Sequence, residues 1–392
     1  MTPKAGASCP LCASDDWCAL SDIRPDRSVR TDGGVVAAPM SKAHCAGCGL
    51  VHRRGQEEDT ATLYAEDYQL YANRPNADLF DLTRHAVLVE TVKGAWGAAA
   101  PPARVLEVGC GDGGLLAALA QQWPGSELLG VEPASSAVRV AQAAGRPVLQ
   151  GMIGVEVPPV VAAGGFDLIY SIHVVEHTPD PSAFLRALGD LLAPGGRLVI
   201  TCPDGAVPHA EIIHPDHLWS MTRDHLAAFA RLGGLGVLAQ GDCPSGASAE
   251  FSQMLVCAPD PSVAATSLPR DPASAQALYA GRQAYLAAWA GLEAALLSAV
   301  RADAPLYAFG AGGWAANIAG NCPALWERVE ACVIDGGADA RMLGKAVLDY
   351  ATLRDAPRQF VALVNPAVQD RLAARLAADG HAVAPWPPGI EA

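Results

Sequence analysis

The chain has no apolar run of the roughly 18 residues that a bilayer-spanning helix needs, and no stretch in which lysines and arginines cluster. The first absence excludes a helical membrane protein. The second excludes a nucleic-acid backbone as main partner, because affinity for phosphate chains comes from grouped cations. With 27 Lys and Arg against 41 Asp and Glu, the formal net charge of −14 points the same way. The opening MTPKAGASCP lacks a basic segment followed by an apolar core, so no secretory signal is expected and the chain reads as cytoplasmic. Its 392 residues are too many for one ordinary core and predict about two to three domains.

In a reducing compartment the 11 cysteines are not expected to form a disulfide framework. Four of them fall as Cys9-Pro-Leu-Cys12 and Cys45-Ala-Gly-Cys48. Each C-x-x-C turn aims two thiolates at one point, and two such turns together make the tetrahedral sulfur cage that Zn²⁺ prefers in closed structural sites. Gly47 and Gly49 relieve the second turn, and with four thiolates present His44 and His52 are expected to be bystanders.

Further on, "ARVLEVGCGDGGLLAALA" reads as strand, glycine turn and helix, "ELLGVEP" as a second strand ending at Glu132, "FDLIYSIHVVEH" as a third, and "PSAFLRALGDLLAPGGRLVITCPD" as helix and strand. Strands alternating with helices predict a parallel, doubly wound sheet with its ligand beyond the strand carboxyl ends. Two cofactors compete for the turn at Gly109, Gly111 and Gly114. A nicotinamide dinucleotide would lay its pyrophosphate on bare backbone N–H groups, where Glu107 would repel it. S-adenosyl-L-methionine has no phosphate, and its ammonium and sulfonium would welcome Glu107. Glu132 suits the ribose hydroxyls of either and does not discriminate.

The sequence resembles class I S-adenosylmethionine-dependent methyltransferases in the run E-x-G-x-G-x-G at 107–113, in Glu132, in "FDLIYSIHVVEHTPDP" and in "LLAPGGRLVIT". The resemblance implies a Rossmann-like α/β domain. It sets Asp112 beside the methionine moiety, Met152 and Ile153 about the adenine, and His173 near the transferred methyl. Ordinary core is the competing reading for Met152 and Ile153. Asp167 and His177 are expected to serve structure, by bonding backbone and capping a turn.

With the zinc segment in front, the whole chain is similar to the deoxysugar (nucleotide-linked sugar) C-methyltransferases: an N-terminal zinc-binding module, a central methyltransferase and a smaller C-terminal α/β domain. That implies a small-molecule acceptor, a nucleotide-sugar, with an aromatic linker over it carrying Tyr64, Tyr68, Tyr71 and His85. In "EIIHPDHLWSMTRDHL" the resemblance aligns His217 with a catalytic histidine, Asp216 with the acid before it and His214 with a tyrosine, while Met221 departs from the family's aromatic. His217 would be the base, and His214 or Tyr68 would steady the oxygen. C-methylation next to a keto group is favoured, with O- or N-methylation by the same scaffold as the alternative. A nicotinamide-dependent oxidoreductase and a non-catalytic zinc-dependent module stay as rivals.

The expected division is 1–60 zinc module, 61–100 helical and aromatic linker, 101–250 methyltransferase domain, 251–300 helical bridge and 301–392 C-terminal α/β domain. In the last, Gly310, Gly312 and Gly313 make either an anion-binding turn or a packing turn. Nothing in the sequence fixes the oligomeric state.

Overall fold

The structure, a computed structural model, describes residues 8–54, 63–64, 77–97, 100–243, 251–264, 267–336 and 340–390, with backbone only for 77–83. The central sheet has seven strands in the order Leu235–Asp242, Ser252–Pro259, Leu192–Pro203, Phe166–Ile172, Arg104–Val108, Glu127–Glu132 and Val148–Gln150. The last five run parallel, and Ser252–Pro259 is antiparallel to both of its neighbours. From Arg104–Val108 the chain winds outward through two strands and then returns to Phe166–Ile172 on the other side. The switch point between those two strands is where a doubly wound sheet opens a crevice at its carboxyl end, and Gly109 and His173 stand there.

Apolar residues on both sheet faces drive this arrangement. Leu106, Ile169 and Ile200 are buried in one layer with Leu185 and Leu188 of the helix Pro181–Asp190; Val105, Leu168 and Val199 lie in the other with Leu116 and Leu119 of the helix Gly114–Gln122. The helix Ala77–Trp96 adds Leu88 and Val92 to the second layer. Among the described residues no helix is long and apolar enough to cross a membrane.

A small antiparallel sheet precedes this unit, built from Trp17–Ala19, Lys42–Cys45 and Val51–Arg53, but its fourth strand, Trp219–Ser220, comes from the central domain. The hairpin Ser28–Val29 with Val35–Val36 leans on the C-terminal helix Gly313–Asn321, where a side chain at Gly320 would collide with Val29. The C-terminal unit is the expected smaller α/β domain, six strands of which all but the edge strand Ala340–Met342 are parallel. Its Gly310, at φ +125°, sits against the backbone of Leu363, which supports the packing reading for that glycine.

The helical bridge expected over 251–300 starts only at Pro272 and runs to Ala299; residues 252–259 form a strand of the central sheet instead. Asp271 caps that helix by accepting the Ser274 N–H at 3.1 Å.

Candidate functional site

Glu107 and the glycine turn sit at the switch point. Gly109 adopts φ +73° and any Cβ there would strike Val174, so the turn needs glycine for both dihedral and space. Gly111 follows at φ +54° and donates its N–H to Glu132 Oε2 at 2.9 Å, while the Ala134 N–H reaches Glu132 Oε1 at 2.9 Å. Glu132 is thereby held at the end of its strand, 8% exposed, with further lone pairs on both oxygens. Glu107 is buried, accepts the Tyr170 hydroxyl at 2.9 Å, and is pushed up to about 8 by burial. Asp112 is half-exposed at the mouth, bonded by the Gly114 N–H at 3.0 Å and paired with Arg146 at 2.8 Å. Ile153 is buried in the core and Met152 half-buried on the turn after Val148–Gln150.

His173, directly after the strand Phe166–Ile172, takes φ +55°, a left-handed conformation that costs a non-glycine residue about 1 to 3 kcal/mol. Its N–H bonds the Thr201 carbonyl at 2.9 Å, and Nδ1 lies 3.3 Å from Glu176 Oε1. The short helical turn Val175–His177 then carries Glu176 and His177 over the crevice.

From the other side comes the segment after Leu192–Pro203. His217 faces His177 with ring centroids 4.7 Å apart and His214 at 5.5 Å. Burial, aided by His177, holds the His217 imidazole well below its ordinary value, and burial also lowers His214. His214 Nδ1 donates to the Val29 carbonyl at 3.1 Å. Asp216 accepts the Thr31 N–H at 3.0 Å and the Thr31 hydroxyl. Burial alone would raise the Asp216 carboxyl, but the surrounding His177, His217 and His214 with Thr31 hold it at about 2. The N-terminal hairpin thus straps the histidine segment in place.

Of the residues singled out in sequence, His217, His214 and Asp216 are brought together, and Tyr68 with Tyr71 lies outside the described residues. Tyr64 is present, its Oη 2.6 Å from His177 Nδ1. Asp167 bonds backbone as expected, taking the N–H groups of Ala103 and Arg104 at 2.8 and 2.9 Å. His177, expected only to cap a turn, stands inside the cluster. Sequence reading missed Glu176 and Thr31; the Glu176-His177 dipeptide, which starts three residues after His173, was the available signal for the first.

The four N-terminal thiols also converge. Cys9 Sγ lies 3.7 Å from Cys48 Sγ and Cys12 Sγ 3.6 Å from Cys45 Sγ, and all four sulfurs fall within 4.8 Å of one another. A tetrahedral zinc with Zn–S of about 2.3 Å separates its sulfurs by about 3.8 Å, so the donor set fits that ion. A Cβ at Gly47 would press on Cys12 Sγ at 3.0 Å. His44 and His52 are engaged elsewhere, with Arg282 Nη1 at 2.8 Å and against the Trp219 ring at 4.1 Å.

Residues 80–240 match the family model described as a methyltransferase domain. The chain is 40% identical over 98 residues to a ubiquinone biosynthesis O-methyltransferase of Albidiferax ferrireducens, covering 24% of this chain and 38% of the relative. It is 37% identical over 103 residues to the protein of that name from Xanthomonas axonopodis pv. citri, covering 25% and 42%. The chain thus spans about two-fifths of those relatives' length. Among solved structures, magnesium protoporphyrin IX methyltransferase from Synechocystis PCC 6803 with bound SAH is similar at a TM-score of 0.35 and 16% identity, over 48% of this chain and 89% of that one. The central unit has a Rossmann-like α/β fold, and most of it lies within the stretch that matches the methyltransferase-domain model.

Proposed function

We propose that the protein uses S-adenosyl-L-methionine to methylate a hydroxyl oxygen of a small-molecule acceptor. The observation that carries this reading is the acid-lined glycine turn: Glu107 buried at its base, and Glu132 fixed by the Gly111 and Ala134 N–H groups with lone pairs left for both hydroxyls of a ribose. A pyrophosphate on the same turn would meet Glu107, Asp112 and Glu132 together, whereas the ammonium and sulfonium of the adenosyl cofactor suit them. The matching family and the relatives' printed names support methyl transfer, and the names specify oxygen.

The acceptor end favours oxygen too. Methyl transfer is an in-line displacement, accelerated by holding nucleophile and methyl carbon in contact. His217, the base suggested by sequence, is neutral but weakly basic because it is buried. Such a base suits an acidic hydroxyl, of enol or phenol type, better than a C–H beside a ketone. The C-methylation of a nucleotide-linked sugar expected from the sequence has no counterpart among the named relatives. The sulfur cage would hold a structural Zn²⁺ with no open coordination position.

Incubation with methyl-labelled S-adenosylmethionine and a panel of phenols, enols and nucleotide-sugars tests the reading, with the label located by NMR. An O-methyl product is expected. A C-methyl product would move the reaction to carbon, and failure to bind the cofactor would end the proposal.

A further inference from the structure

Glu176 is 1% exposed, yet neither carboxylate oxygen has an aligned hydrogen-bond partner, and His217 Nδ1 and Glu211 Oε2, 3.7 Å apart, are unpartnered as well. Ligand atoms of Glu176, His177 and His217 fall within 4.8 Å of one another. An isolated buried carboxylate is costly unless a cation faces it. Glu176, Glu211 and Asp216 are all under 9% exposed. We propose that Glu176, His177 and His217 bind a divalent transition-metal cation, separate from the sulfur cage, that presents the acceptor oxygen.

The surroundings prepare these residues as ligands. The Asp216 carbonyl, 2.8 Å from His177 Nδ1, can only accept, so Nδ1 carries the proton and Nε2 keeps its lone pair. His173 Nδ1 stands 3.3 Å from Glu176 Oε1. Two imidazoles and a carboxylate suit Zn²⁺, Mn²⁺ or Fe²⁺ and leave a position open. The inference rests on the methyl-transfer reading for its role and, by making His217 a ligand, replaces its part as base. An acceptor hydroxyl in the open position loses its proton to water, its oxygen forms the O–CH₃ bond as the S–CH₃ bond breaks, and S-adenosylhomocysteine departs.

Titration of the metal-free full chain with Co²⁺ tests the site. The first equivalent at the sulfur cage gives intense thiolate charge-transfer bands, and about one further equivalent should add weak visible bands without thiolate character. Glu176→Gln and His217→Gln should each lose that equivalent alone, with circular dichroism and the thiolate bands of the parent. One equivalent in the parent protein at saturating Co²⁺, or a second that survives in both variants, overturns the proposal. Calorimetric binding of S-adenosylmethionine separates the two readings. Cofactor binding and turnover with a single metal would sink the second site and leave methyl transfer standing.

Discussion

The Glu132 carboxylate accepts the Gly111 N–H at 2.9 Å, clamping the end of one strand to the glycine turn of its neighbour. One side chain therefore shapes the turn and, in the proposed reading, faces the cofactor ribose. Glu132→Ala removes two charge-assisted hydrogen bonds to backbone as well as the ribose acceptors. Affinity for S-adenosylmethionine should fall about 10- to 100-fold by calorimetry. Glu132→Gln, which keeps one acceptor oxygen, should fall less. Equal affinity in parent and Ala variant would take the residue off the ribose.

Glu107 makes cofactor affinity depend on pH. Burial raises its carboxyl to about 8, so much of it is protonated at neutral pH in the free protein. A cationic ligand favours the carboxylate, so binding expels a proton. Affinity should rise with pH by up to about tenfold per unit and level off above about pH 8. For the free protein the sign is opposite: the native state holds this proton more tightly than the unfolded chain, so Glu107 lowers stability as pH climbs from its ordinary value toward 8. Glu107→Gln should flatten both trends, and calorimetry in buffers of different ionisation heat counts the proton directly.

His173 stores backbone strain. At φ +55°, Ala keeps the unfavourable conformation and Gly does not. His173→Gly should therefore be more stable than His173→Ala by about 1 kcal/mol in denaturant titrations. The two variants should share the loss of the Glu176 contact and show similarly reduced turnover. Equal stability would mean the strain is absent.

Cys45→Ser should release the metal from the sulfur cage, as elemental analysis would show, and reduce methyl transfer too. The link is Trp219–Ser220, which pairs with Val51–Arg53 of the small antiparallel sheet and lies two residues after His217. A metal-free variant with parental turnover would show that the cage and the histidine segment are independent.

The sequence made legible what is encoded locally. The run 105–122 declares strand, glycine turn and helix because an apolar stretch, positive-φ glycines and a helical face follow one another within a few residues. The cysteine cage is equally plain, since each C-x-x-C pair is a turn by itself. Long-range pairing was hidden. Residues 252–259 were assigned to a helical bridge because nothing within "SQMLVCAP" announces that it lies between Leu192–Pro203 and Leu235–Asp242. His177 was read as a turn cap because Asp216 and His217, which give it meaning, arrive from the far side of a helix and a strand. Thr31 could not be read at all, because a hairpin near the N-terminus reaches Asp216 only through tertiary packing.

Arg282, on the helix Pro272–Ala299 and 1% exposed, donates to His44 Nδ1 at 2.8 Å, to the Gly49 carbonyl at 2.6 Å and to the Gly205 carbonyl at 2.7 Å. That guanidinium rivets three separately coded stretches, so chimeras that graft the knuckle or the long helix from a cousin would strand a charge or orphan three acceptors. Inheritance should keep those stretches as a single package, traded whole or left alone.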